Sequence, residues 1–310
     1  MSGVRVVDER IAFYSEGLRL TGVIHRPETA TGPLPVIVQG PGWLERCCSN
    51  VSEPFHRALA AAGYAVFQFN GRGWEDSEGE PGWIRPADQV EDLLNALTYV
   101  ETRADLDSSR VGLFGVGGTG AGNALIVAAI DPRPRCVVVQ NVVADGPKWF
   151  RGMRREHEWI EFQSRVQANQ RQRVLENVDE IVDPTEELMV ATPARRTAGM
   201  PTFGRTFHLG SAEALMRYRP LDVVERIAPR GLLLTCIDDD PVTPREHALE
   251  IYERARPPKR LVRQINVGSY EAYTKNFDLL MQQFLEWYRR FLGEAGRATT
   301  TGIDSEVVLR

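Results

Sequence analysis

Three acids in a row, Asp238-Asp239-Asp240, follow an apolar run that ends at Ile237. Successive residues of an extended chain point to opposite sides, so one acid faces inward, and Asp240 is the candidate. If desolvated, its pKa rises toward a range useful for general acid or base work. A cation is a weaker reading, because no further ligand set accompanies the acids, and no metal is expected. Ser269 and Tyr270 stand where another apolar run ends. Cys47 and Cys48 are adjacent thiols, and a thiolate there would be a nucleophile if its pKa were lowered; bystander cysteines are the plainer reading. His157 and His208 are the imidazoles of a charged central stretch, and each reads more simply as an exposed helical histidine. Gly115-Val116-Gly117-Gly118-Thr119-Gly120 is a glycine-rich turn. It is neither the G-x-G-x-x-G fingerprint nor a P-loop with its Lys, so no nucleotide, flavin or other cofactor is expected.

The elements that must position these groups follow from hydrophobic period. Residues 10–25 alternate around Ser15-Glu16-Gly17 and predict an antiparallel hairpin. Pro35–Gln39, Tyr64–Phe69, Arg110–Val116, Arg135–Gln140, Leu232–Ile237 and Arg260–Ile265 predict buried strands. Helical spacing falls on Glu53–Ala62, Pro86–Thr102, Thr119–Ile130, Pro244–Ala255 and Glu271–Leu292. This alternation predicts an α/β fold with a mostly parallel, doubly wound sheet. Sites in such sheets form at the carboxyl ends of strands, which draws together Gly42-Trp43, Gly117-Gly118, Asp240 and Ser269. Residues 146–215 break the alternation and read as a helical cap over a core formed by 1–145 and 216–293; residues 294–310 read as a disordered tail.

Composition sets bounds. The chain has 310 residues, 43% of them hydrophobic, which suffices for a sizeable core. A formal net charge of −5 argues against nucleic acid or a membrane surface as partner. No apolar stretch approaches the roughly 20 residues of a membrane span, and the charged start of the chain does not resemble a signal peptide. Four cysteines make no disulfide framework, so a reducing cytoplasm is expected. Trp43, Trp74, Trp83, Trp149 and Trp159 fall in the loops and the cap, which suggests an apolar ligand pocket. A homodimer is left open.

Five segments in order resemble the α/β-hydrolase family in its esterase, dienelactone-hydrolase-like and peptidase-like branch. They are Gly40-Pro41-Gly42-Trp43, Phe69-Asn70-Gly71-Arg72-Gly73, the turn around Gly117, Arg219-Pro220-Leu221-Asp222, and Asp240-Pro241-Val242-Thr243-Pro244. The resemblance implies a Ser-His-Asp triad with Asp240 as its acid. It also implies a nucleophile at the strand-to-helix turn, which counting from Arg110 places on Gly117, and a histidine at the place of Ser269. Neither residue can serve: Gly117 has no side chain and Ser269 is no base. A second register makes Thr119 the nucleophile; otherwise Thr119 is a helix cap. An oxyanion hole would survive in the Gly118 N–H and the Gly42-Trp43 loop, with Trp74, His157 and His208 bordering the substrate.

The leading expectation is therefore a non-hydrolytic enzyme: a lyase, cyclase, isomerase or decarboxylase acting on a carbonyl-containing, partly apolar small molecule of secondary metabolism. The alternatives are a hydrolase with a relocated nucleophile (Thr119, Cys47 or Cys48) or an activated water, and a non-catalytic binding protein.

Overall fold

The computed structural model describes residues 4–43, 46–189, 206–293 and 302–309. Strands β1 (Val6–Ser15) and β2 (Leu18–Pro27) form an antiparallel hairpin. Its two turn residues, Glu16 and Gly17, have φ of 48° and 85°, the positive values that a two-residue hairpin turn needs. Then come β3 (Leu34–Gln39), helix α1 (Glu53–Ala61), β4 (Ala65–Phe69), α2 (Pro86–Glu101), β5 (Leu106–Gly117), α3 (Gly118–Ile130) and β6 (Pro134–Val142). After the segment over the sheet, β9 (Gly231–Ile237) leads through a helix, Arg245–Arg254, to β10 (Lys259–Gln264). The chain closes with helix Phe277–Leu292 and β11 (Asp304–Leu309).

Among the described residues, the main sheet has nine strands in the order β1-β2-β4-β3-β5-β6-β9-β10-β11. The pairs from β4 to β11 are parallel. Strand residues alternate between two apolar layers. Val38, Leu113, Val139 and Leu234 pack with α2, α3 and helix Arg245–Arg254. Ile37, Phe114, Val138 and Leu233 pack with α1 and helix Phe277–Leu292. The architecture is that of an α/β-hydrolase, and no described helix is long and apolar enough to cross a membrane.

Three expectations are corrected. The last helix is not continuous from Glu271: Asn276 separates Ala272–Lys275 from Phe277–Leu292. The tail does not stay outside the fold, because Asp304–Leu309 pairs in parallel with β10 and places Leu309 against the core. Its alternating Ser305, Val307 and Leu309 carry a period of two that a reading of the tail as small and polar passes over. Third, the stretch expected to lack strands holds a short antiparallel pair, β7 (Ile181–Val182) with β8 (Phe207–His208), beside α4 (Gly146–Gly152), α5 (Glu156–Glu176) and a helix Gly210–Met216. Trp43, Trp74, Trp149, Phe150, Phe162 and Phe207 join in an apolar cluster of their own between this segment and the strand-end loops.

Candidate active site

β5 runs into α3 without an intervening loop, so the last strand residue must turn the chain by itself. Gly117 does so at φ 62° and ψ 129°, and Gly118 follows at φ 40°. A Cβ built on Gly117 would meet no atom within 4 Å. The bend therefore has open space beside it and no side chain in that space.

Thr119 lies one residue further on, inside the first turn of α3. Its Oγ1 is buried without a hydrogen-bond partner, and its carbonyl accepts from the Tyr218 hydroxyl at 3.0 Å. The cap position belongs to Gly117, so Thr119 neither caps the helix nor receives an imidazole.

Opposite the bend, the Gly40-Pro41-Gly42-Trp43 loop presses onto α3. A Cβ at Gly42 would lie 2.7 Å from the Gly120 Cα, so only glycine permits this approach. Asn123 Nδ2 donates to the Pro41 carbonyl at 3.1 Å and to Gln89 Oε1 at 2.9 Å, while Gln89 Nε2 donates to the Gly42 carbonyl at 3.1 Å. The loop is thus fixed against the helix start. There the first-turn N–H groups have no intrahelical acceptor and favour negative charge. Asn123 and Gln89 position this loop and were not among the expected site residues; an Asn one turn into a small-residue helix was the signal for the first.

The strand ends at Ile237 and the chain turns at Asp238-Asp239, which separates the three acids. Asp238 pairs with Arg263 at 2.9 Å and Arg245 at 3.1 Å, and Asp239 is exposed. Asp240 is buried and accepts from Ser269 Oγ at 2.6 Å and from the Val242 N–H at 2.8 Å. Burial pushes the Asp240 carboxyl up from its ordinary range, against hydrogen bonds from Ser269, Val242 and Thr243 that hold it down. The Val242 carbonyl in turn accepts from Trp149 Nε1 at 2.8 Å, and Trp149 stands edge-on to Trp43 at 5.5 Å. One chain of contacts therefore ties the acid loop to the Gly42-Trp43 loop. The Trp43 Nε1 is buried and unpaired.

Other candidates lie elsewhere. His157 is exposed in the first turn of α5. His208 stacks on Trp83 at 4.4 Å, with Nδ1 3.5 Å from Asp179, and so pins β8 rather than meeting Asp240. Neither reaches in over the site, because each has a place set by its own element. Trp74 packs on Phe207 at 5.7 Å. Tyr270 is half-buried beside Ser269. Cys47 and Cys48 lean on β4, where the Cys47 thiol donates to the Gln68 carbonyl at 3.5 Å. Asn141 was not anticipated: at φ 55° it is the penultimate residue of β6 and donates to the Tyr273 hydroxyl at 2.8 Å. Among the described residues no cluster of His, Cys, Asp and Glu has the makings of a metal site.

The chain resembles known proteins in sequence and in fold. Residues 16–268 match the family described as X-Pro dipeptidyl-peptidase (S15 family). An uncharacterized 31.7 kDa protein of Escherichia coli is 25% identical over 93% of this chain and 100% of its own. The acyltransferase drtE of Aspergillus calidoustus is 25% identical over 84% of this chain and 89% of its own. The crystal structure of the α/β-hydrolase GrgF from a Penicillium species superposes with a TM-score of 0.78 at 18% identity, over 92% of this chain and 99% of that one.

Proposed function

Because the chain belongs to the X-Pro dipeptidyl-peptidase (S15) family but presents Gly117 at the bend, we propose that it is a hydrolase-fold enzyme that handles a carbonyl-containing acyl substrate without an acyl-enzyme at the elbow. The peptidase chemistry of the family name does not carry over, since acyl transfer to the enzyme needs a hydroxyl or thiol and a base beside it. The reading has three parts. The N–H of Gly118 and the Gly42-Trp43 loop hold the carbonyl oxygen and stabilise the charge that develops on it. The Asp240 carboxylate, oriented by the Ser269 hydroxyl, takes a proton from the carbon next to that carbonyl. The enolate so formed then rearranges, closes a ring or expels a group, which is the work of an isomerase, cyclase or lyase.

The 2.6 Å hydrogen bond from Ser269 to the buried Asp240 carries this reading. It orients a buried carboxylate in the place where the family resemblance expects acid and imidazole. The desolvated carboxyl, raised above its usual range, is a stronger base than an exposed aspartate. The acyltransferase among the relatives supports an acyl substrate.

The test uses acyl thioesters with an α C–H, incubated with the protein in deuterated, ¹⁸O-labelled water. The reading expects α-deuterium and no ¹⁸O in the product, with exchange reduced about 10²- to 10⁴-fold in Asp240→Asn. A carboxylate product carrying ¹⁸O, with an acyl adduct on Thr119 or Cys48, would overturn it.

A further inference from the structure

We infer that Cys48 is a reactive thiol, held by the His25–Asp8 imidazole–carboxylate pair and backed by Cys47 as a resolving thiol, and that it takes a hydroperoxide. The cluster is separate from the candidate active site. His25 on β2 and Asp8 on β1 are directly paired in the hairpin, and His25 Nδ1 lies 2.8 Å from Asp8 Oδ1. With Nδ1 bonded to the carboxylate, the free ring nitrogen is Nε2. His25 is fully buried, and its Nε2 finds no partner within hydrogen-bond geometry. The half-buried Cys48 lies over this same sheet face: its N–H donates to Gln68 Oε1 on β4, and Val66, two residues before Gln68, pairs with His25. Cys48 is held there at φ 60°, a backbone state uncommon for a residue with a side chain. The Cys47 sulfur stands 3.7 Å from that of Cys48.

The surrounding charges favour a thiolate. The neighbouring Cys47 thiol and the His25 imidazole pull the Cys48 thiol down to about 5, against burial and the nearby Glu53 carboxylate. Burial opposes charge on His25, but Cys48 and Asp8 raise it. From α1, Arg57 donates to Asp8 at 2.7 Å and to Glu53 at 2.7 Å, and the fully buried His56 is held neutral, down to about 3. The two remaining cysteines offer no rival: burial pushes the thiols of Cys136 and Cys236 up.

Geometry also selects the electrophile. Acyl transfer to Cys48 would need donors for an oxyanion, and the local ones are occupied: the Cys47 N–H donates to Asn70 Oδ1 and the Cys48 N–H to Gln68 Oε1, each at 2.8 Å. A hydroperoxide needs no such hole. The Cys48 thiolate attacks one peroxide oxygen; an S–O bond forms, the O–O bond breaks, and the departing oxygen leaves as an alcohol or water with the proton His25 holds. Cys48 is oxidised by two electrons to a sulfenic acid and the peroxide is reduced. The Cys47 thiol then displaces the hydroxyl, forming an S–S bond and releasing water.

Alkylation of the full-length protein by iodoacetamide across pH, with the labelled peptides counted by mass spectrometry, tests the first half. A less basic thiolate is also a poorer nucleophile, so the midpoint pH and not the rate discriminates. Cys48 should show a midpoint near 5 in the wild-type protein, moving toward the ordinary value of about 8.5 in His25→Gln. Stoichiometric hydrogen peroxide should then yield a Cys47–Cys48 disulfide that dithiothreitol reverses, and Cys47→Ser should stop at a sulfenic acid that dimedone traps. An ordinary wild-type midpoint, or two free thiols after peroxide, overturns the inference whether or not the variants fold.

Discussion

Gly117 occupies a backbone state that suits glycine and leaves room beside it, while Thr119 holds its hydroxyl buried without a protein partner. The two residues lie only two positions apart, yet their costs differ in sign. An unsatisfied buried hydroxyl costs about 1–3 kcal/mol. Thr119→Val keeps the shape and removes that group, so it should raise the chemical-denaturation stability by about 1 kcal/mol and leave turnover unchanged; a loss of turnover would make Thr119 part of the mechanism. Asp240 gives a prediction with a definite pH sign. Its folded pKa lies above its unfolded value, so its contribution to stability is full below about 3.9 and is lost as pH rises through the folded value. Asp240→Asn removes that loss. Melting temperatures at pH 4 and pH 7 should therefore show the variant gaining on the wild type toward neutral pH. In turnover, the acid limb should sit above the ordinary carboxylate range.

At the scale of elements, the loop carrying Gly42 and the first turn of α3 act as one unit. Gly42→Ala forces a methyl group against the Gly120 backbone, where overpacking costs about 1–3 kcal/mol. It should lower the denaturant midpoint and abolish carbonyl binding together, since the loop can accept the methyl only by leaving α3. The strands and helices were legible in the sequence because each carries a period set by burial: Ile37, Phe114 and Val138 on one face, Val38, Leu113 and Val139 on the other. Gly117 was legible for the same reason, since a strand rises by a fixed step and the count from Arg110 ends there. What was not legible depends on contacts between distant segments. The Asn123–Gln89–Gly42 bonds and the Trp149–Val242 link each join elements far apart in the chain. No local pattern announces such contacts. The split at Asn276 was missed because the apolar spacing runs on through it.

Over the whole molecule, the sheet is closed at one side by the β1–β2 hairpin and at the other by β11, which returns from the chain end to cover β10. Removing residues 304–310 would leave the outer edge of Lys259–Gln264 without its ladder partner and would expose the core beside Leu309. The truncated chain should melt at a lower temperature and self-associate in light scattering; unchanged melting would show β11 to be dispensable. Between these two edges the strands deliver Asp240, Ser269, Gly117 and the Gly42 loop to a common rim, and the account rests on that rim lacking an enzyme nucleophile. Intact-mass analysis after exposure to a serine-directed fluorophosphonate tests this most directly. The account predicts that the wild-type chain keeps its native mass; a single adduct mapped by peptide sequencing to Thr119 would contradict it.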